Sequence, residues 1–279
     1  MKIASPIPEK FYGVLQRATD GSTIDAAAEQ VRDLGYAVLD SGYKAEELKA
    51  LSVEFDTLHN NYLERYGADQ LLAIDEQNTI RAPLAQGSGL FLDLVFNENL
   101  LATIRKLITG KFILNQQNGI INPPQKTYNQ ASWHRDLPYQ HFLSTTPLAI
   151  NALFCIDDFT LENGATFVLP ASHKSTSFPS KTYVERNALQ VVAKAGAFIL
   201  LDCMMFHAGG FNSSGMKRRA VNHLYNIPFL KQQIVIPDHI RRHNLSAEQR
   251  EILDFDSPDG HKSIGSYLKF RSARSQRLA

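Results

Sequence analysis

Two hydropathy textures meet near residue 110. Over residues 23–32 the apolar positions Ile24, Ala27, Ala28 and Val31 recur every three or four residues. That is the spacing of one helix face, and it predicts a helix with Ser22 or Thr23 as its cap. After Gly35, Tyr36-Ala37-Val38-Leu39 reads as a short strand. From Tyr43 to Tyr66 the residues Leu48, Leu51, Phe55, Leu58 and Tyr62 mark a long amphipathic helix whose apolar stripe is core. Leu90, Leu92, Leu94, Val95, Leu100, Leu101, Ile104 and Leu107 repeat the helical spacing, interrupted at Asn97 and stopping before Gly110. Beyond that point the apolar runs are short: Phe112–Leu114, Leu148–Ile156, Thr166–Leu169, Ala197–Phe206 and Ala220–Ile227, with Gly, Pro, Asn and Ser between them. Many short strands with turn signals predict a mainly β sandwich or jelly roll flanked by N-terminal helices. One domain is expected, helical over about 1–110, jelly roll over about 111–230, with a C-terminal extension over 231–279.

Composition narrows the partners. The 279 residues carry 29 Lys and Arg against 28 Asp and Glu, a formal charge of +1, so no global field favours nucleic acid or an anionic membrane. A small-molecule partner fits better. The amino terminus lacks the apolar stretch of a secretory signal and no apolar run is long enough to span a bilayer, so a cytoplasmic protein is expected. Cys155 and Cys203 lie in apolar runs, which suits small buried hydrophobes better than a disulfide framework.

The candidate chemistry begins at Trp133-His134-Arg135-Asp136. On an extended strand His134 and Asp136 project to one face while Arg135 points away. With His207, they make two imidazoles and a carboxylate, a set that occupies one face of an octahedral ion and is associated with non-haem Fe(II) oxygenases. A His-x-Asp tripeptide alone is a weak signal. His207, however, follows the apolar run ending at Phe206 and precedes Ala208-Gly209-Gly210, the mouth of a predicted strand. Arg218 or Arg219 supplies a further element. A guanidinium on a β-segment is costly to bury without a carboxylate partner, and a dicarboxylate cosubstrate would provide one. Alternation allows only one of the two to face inward; a surface Lys-Arg-Arg cluster is the plain alternative.

These stretches resemble the phytanoyl-CoA dioxygenase family of Fe(II)/2-oxoglutarate oxygenases. The resemblance rests on Trp133-His134-Arg135-Asp136, Glu162-Asn163-Gly164, Pro170-Ala171-Ser172-His173-Lys174, and the series His207, Asn212, Ser214, Arg218. The helix, strand and long helix that open the chain are also similar to the family. The resemblance implies a double-stranded β-helix with Fe(II) at its open end, held by His134, Asp136 and His207. It implies 2-oxoglutarate and O2 as co-reactants, with Arg218 rather than Arg219 on the cosubstrate. The activity it implies is oxidation of a small molecule, hydroxylation in particular because Asp136 is retained where related halogenases carry a small residue. There are two departures. Gly209 stands where many relatives have a Ser that touches the cosubstrate carboxylate, and Ala171 stands where a Gly is usual.

The remaining expectations are less specific. Gln117 is a candidate for the cosubstrate, and Asn118, Trp133, Tyr139 and Arg81 for substrate contact; Arg81 to Gly89 reads as a loop over the mouth. His173 is assigned to shaping its turn, and His141, His223, His239, His243 and His261 to surface or core. The competing classes are a non-catalytic jelly-roll module that binds metal or carboxylate, and a hydrolytic zinc enzyme.

Overall fold

The computed structural model describes residues 7–18, 21–137, 142–240, 245–255, 263–269 and 272. The elements in chain order are α1 (Thr23–Leu34), β1 (Tyr36–Asp40), α2 (Ala45–Tyr66), α3 (Ala68–Ala73), β2 (Thr79–Arg81), α4 (Leu90–Val95), α5 (Glu98–Leu107), β3 (Ile113–Asn122), β4 (Ala149–Cys155), β5 (Phe167–Val168), α6 (Lys181–Asn187), β6 (Leu189–Gln190), β7 (Ala197–Asp202), β8 (His207–Ala208), β9 (Arg218–Asn226), α7 (Ile236–His239) and α8 (Ala247–Ile252). The major sheet has the order β1-β7-β4-β9-β3-β2 and the minor sheet β6-β5-β8. Every pairing is antiparallel. This is a double-stranded β-helix with helices against one side.

The period of two in the strands separates two cores. Ala37, Leu200, Ala152, His223 and Gln117 lie in register across the major sheet on the face covered by α1, α2, α4 and α5, within the large apolar cluster around Phe55, Leu94 and Ile104. The next row, Ile199, Leu153, Asn222 and Asn118, faces the other way. There Leu153, Cys155, Ile199, Leu201 and Ala220 pack against Val168, Val191 and Met205 from the opposite side of the roll. A polar residue on a major-sheet strand therefore meets either the helices or the interior of the roll, according to its parity.

The predicted helices end where their caps lie. Ser22 and Asp25 form a reciprocal capping box on α1, and Gly35 closes the helix at φ 85°. Asn97, read as an interruption, is the cap of α5: its Oδ1 accepts from Leu100 N at 3.0 Å while its Nδ2 donates to Ser41 O at 2.9 Å.

Three expectations change, two of strands and one of a loop. β3 runs to Asn122 rather than stopping at Leu114; its Asn and Gln residues disguise a strand buried on both faces and bulged between Leu114 and Gln116. The run ending at Phe206 stops as a strand at Asp202, because Asp202 Oδ1 takes Met204 N at 2.8 Å and turns the chain, so that His207 opens β8 in the other sheet. Arg81 to Gly89 is no lid. Arg81 ends β2, Pro83 and Leu84 are buried, and Ser88 N donates to Glu54 of α2. Apolar Pro83 and Leu84 draw the segment into the helical core.

His223 sits deep in that core, with Nδ1 3.1 Å from Ala152 O and Nε2 2.8 Å from Gln117 Nε2. Burial pulls its pKa down from 6.5 to about 4. Because the folded value lies below the unfolded one, the unfolded chain takes the proton first. The stabilisation is complete above about pH 6.5 and is lost as pH falls toward 4, an effect of about 3 kcal/mol. Urea denaturation at pH 7 and pH 4.5 should therefore show a smaller acid loss for His223→Gln than for the wild type; equal losses would contradict this.

Candidate functional site

His134 and His207 face each other across an isolated antiparallel bridge. His134 N donates to His207 O at 3.0 Å and His207 N to His134 O at 3.1 Å, while Asp136 N donates to Cys203 O at 3.1 Å. The expected His-x-Asp strand is thus a short tie to β8 and the turn before it. The extended backbone still separates the side chains as alternation requires: Arg135 is buried on the far side, stacked 3.9 Å over the Phe206 ring and donating to the carbonyls of Ser172 and Ser175. On the near side His207 Nε2 lies 3.5 Å and His134 Nε2 3.8 Å from Asp136 Oδ1. Among the described residues these three form the one cluster of His, Cys, Asp or Glu whose donor atoms all approach within 4.8 Å.

Their surroundings prepare them as ligands. His134 Nδ1 is 2.7 Å from Ser132 O and His207 Nδ1 3.1 Å from Met205 O. A carbonyl only accepts, so each ring carries its proton on Nδ1 and offers the Nε2 lone pair. Burial holds His207 below its ordinary pKa, keeping it neutral, with His134 acting in the same direction and Asp136 and the Met205 carbonyl against. Asn151 Nδ2 donates to Asp136 Oδ2 at 2.8 Å, which fixes the carboxylate and leaves Oδ1 to the imidazoles. Two neutral nitrogens and one anionic oxygen, each tied by its other atom, suit a divalent ion of the Fe(II) type.

The same cavity contains Arg218. It is lined by Ile120, Leu153, Leu201 and Ala220, by the three ligands with Asn151, and by Tyr128, Gln130, Thr166, Gly209, Arg218 and Asn222. Arg218 is 2% exposed. Its Nη1 donates to Gly164 O at 2.9 Å and Nη2 to the Tyr128 hydroxyl at 3.3 Å, its face lies 3.9 Å over the Phe159 ring, and its Nε has no partner. No carboxylate pairs with it in the described structure. Arg219, one residue on, points to the helices and is saturated by Asp157, Asp56 and Ser52.

The motif turns deliver these groups. Asn212 Nδ2 donates to Asn122 O and Met216 O, and its Oδ1 accepts from Ser214 N and Oγ, building the turn before Arg218. Gly164, at φ 77°, abuts Gly210 and presents its carbonyl to Arg218. Ser172 Oγ accepts from Phe206 N at 2.9 Å and so sets the start of β8; Ala171, in place of the usual Gly, adopts φ 62°. His173 is buried in that turn, its Nε2 3.1 Å from Arg32 O.

Other candidates fall elsewhere. Gln117 is on the helix face of β3, donating to Phe91 O at 2.7 Å and to His223; strand parity carries it away from the cavity. Asn118 has the inward parity but lies beyond the cavity wall, bonded to Gln116 Oε1 at 3.1 Å. Trp133 packs on Phe167 and Phe178 outside the roll, and Arg81 pairs with Glu76 at the sheet edge. Tyr139, His141, His243 and His261 lie outside the described residues, and His239 is exposed. Sequence reasoning missed Tyr128, Gln130, Asn151, Thr166 and Asn222. For Asn151 a signal existed, since it is a lone amide among apolar neighbours on a buried strand; Tyr128 and Gln130 lie in a loop with no such contrast.

Comparison with known proteins agrees with this geometry. The uncharacterized protein Rv1501 of Mycobacterium tuberculosis is 30% identical over 230 residues, 81% of this chain and 82% of its own length. The iron/alpha-ketoglutarate-dependent dioxygenase ausU of Aspergillus calidoustus is 24% identical over 206 residues, 70% of this chain and 68% of its own. Among solved structures, EctD from S. alaskensis with 2-oxoglutarate and 5-hydroxyectoine superposes with a TM-score of 0.62 at 21% identity, covering 76% of this chain and 79% of that one. HygX from Streptomyces hygroscopicus, with nickel, 2-oxoglutarate and hygromycin B bound, gives 0.57 at 15% identity over 74% and 88%. The family model described as phytanoyl-CoA dioxygenase (PhyH) matches residues 31–220. With that match lying over the triad and Arg218, the chain belongs to the phytanoyl-CoA dioxygenase family of Fe(II)/2-oxoglutarate-dependent oxygenases.

Proposed function

We propose that this protein hydroxylates a carbon of a small molecule, with Arg218 holding the distal carboxylate of 2-oxoglutarate. The observation that carries the proposal is the buried Arg218 guanidinium, which shares one cavity with the ligand triad and has no carboxylate of its own. Removing a guanidinium from water costs several kcal/mol. A forked contact with a carboxylate offsets that cost and also fixes the orientation of the bound acid. In the net reaction 2-oxoglutarate, O2 and a C–H substrate give succinate, CO2 and the alcohol. Fe(II), when bound by His134, Asp136 and His207, supplies the oxygen chemistry.

The chain's own residues position the reactants. Asn151 holds Asp136 in place as a ligand; a retained carboxylate keeps a coordination position from halide and favours hydroxylation. Ile120, Leu153 and Leu201 make the wall apolar, while Gln130, Thr166 and Asn222 are its polar points. A concave cleft with fixed polar groups suits a small molecule more than a polymer. The EctD and HygX structures, which carry 5-hydroxyectoine and hygromycin B, lend support to a small-molecule substrate. No helix among the described residues is long and apolar enough to cross a membrane.

Purified protein with Fe(II), ascorbate and 2-oxoglutarate should release succinate slowly even without substrate. His134→Ala should abolish this release. Arg218→Ala should raise the KM for 2-oxoglutarate by about 100-fold, the scale of a lost buried charge-assisted pair. Equal succinate in all three proteins would refute the proposal. A second measurement concerns Asp136: Asn151→Ala should weaken Fe(II) binding about 10- to 100-fold, as loss of a ligand's supporting hydrogen bond does, whereas unchanged metal affinity by competition with a chelator would show that Asn151 does not set the carboxylate.

A further inference from the structure

Resting on that reading of Arg218, we infer that the Tyr128 hydroxyl is the second hydrogen-bond donor to the 2-oxoglutarate carboxylate, and that Gly209 is glycine because the Tyr128 phenol fills the space a side chain would need.

Three observations support this. Tyr128 is 9% exposed and lines the cavity with Arg218 and the triad. Its oxygen accepts from Arg218 Nη2 at 3.3 Å; that uses a lone pair, and no hydrogen bond among the described residues uses its proton. A phenol whose acceptor side meets a guanidinium has its O–H left for an acceptor arriving beside that guanidinium, which is what a carboxylate is. Burial, opposed by Arg218, pushes the Tyr128 pKa above its ordinary value, so the group remains a donor at neutral pH.

Gly209 provides the third, independent observation. A Cβ built there would fall on the Tyr128 hydroxyl oxygen and lie 2.8 Å from Tyr128 Cζ and 3.1 Å from Cε1. Gly209 is not among the residues with positive φ, so its backbone does not call for glycine; the phenol does. The two segments are also tied by Gly209 N donating to Gln130 O at 2.7 Å, which holds Tyr128 over β8. A hydroxyl at position 209 and the phenol of Tyr128 are therefore alternative occupants of one place beside Arg218. The hydrogen bond that a serine at 209 would make comes in this chain from the preceding loop.

The test is calorimetric titration of the anaerobic Fe(II) protein with 2-oxoglutarate and with 2-oxobutyrate, which shares the keto-acid end but lacks the distal carboxylate. Tyr128→Phe, which keeps the ring and its packing, should weaken 2-oxoglutarate about 10-fold, the scale of one hydrogen bond to a charged group, and leave 2-oxobutyrate unchanged. Gly209→Ala, which displaces the phenol and offers no hydroxyl, should weaken 2-oxoglutarate, and Tyr128→Ala combined with Gly209→Ser should bind it more tightly than Tyr128→Ala alone. Equal weakening of both acids by Tyr128→Phe, or no weakening of either, would overturn the inference while the Arg218 reading stands. Absence of 2-oxoglutarate binding by the wild type, or binding unaffected by Arg218→Ala, would overturn the Arg218 reading and this inference with it.

Discussion

A guanidinium taken out of water without a carboxylate to meet it is the constraint around which this structure is arranged. Arg218 keeps only a backbone carbonyl, a phenol and an aromatic face, partners that together fall short of hydration for a full charge. The turns around it make sense as devices for holding it there. Asn212 and Ser214 set the entry into β9, Gly164 allows its own carbonyl to come within reach, and Phe159 provides the ring. The adjacent Arg219 measures how unusual the arrangement is, since on the opposite face of the same strand it binds both oxygens of Asp157 as well as Asp56. One strand thus carries two arginines, one paired with carboxylates of the protein and one with none among the described residues.

The separation of the two is a consequence of parity. The major sheet has an apolar layer on each side, a helix-covered one and one inside the roll, and each strand contributes alternately to both. Polar residues on the helix face become structural: Gln117 and His223 bond to each other and to backbone carbonyls. Polar residues on the inner face, Asn151, Arg218 and Asn222, line the cavity. The minor sheet, only two residues wide at β5 and β8, does little packing by comparison. Its contribution is to bring His207 against His134 through paired backbone hydrogen bonds, so that the ligands converge through main-chain geometry and not through side-chain packing.

Much of this was legible in the sequence where periodicity or motif order applied. The helical spacing located α1, α2, α4 and α5, and the order of His134, Asp136, His207 and Arg218 led to the reaction class. What escaped had physical reasons. The extension of β3 past Leu114 escaped because its amides, on a strand buried on both faces, show no apolar alternation. The turn at Asp202 escaped because Cys203, Met204, Met205 and Phe206 are apolar, and only the carboxylate hydrogen bond to Met204 N breaks the run. Gln117 is a candidate as an amide one strand before the motif and Trp133 as an aromatic wall, whereas their positions depend on strand parity and on the outward face of the bridge. Tyr128 lies in a polar loop where neither hydropathy nor spacing distinguishes it.

On the proposed role of Arg218, the charges of the site would make metal and cosubstrate bind cooperatively. Neutral His134 and His207, anionic Asp136 and cationic Arg218 sum to zero within one cavity. A divalent cation alone brings that sum to +2, and a dicarboxylate alone brings it to −2, both unfavourable where water is scarce. Together they would restore neutrality. Each therefore strengthens the binding of the other, and by thermodynamic linkage the strengthening is reciprocal. The apolar wall of Ile120, Leu153 and Leu201 magnifies the effect, because a low dielectric raises the cost of each half-filled state more than that of the neutral whole. On that role, the arrangement that makes Arg218 costly in isolation would be the one that couples cosubstrate binding to the presence of the metal.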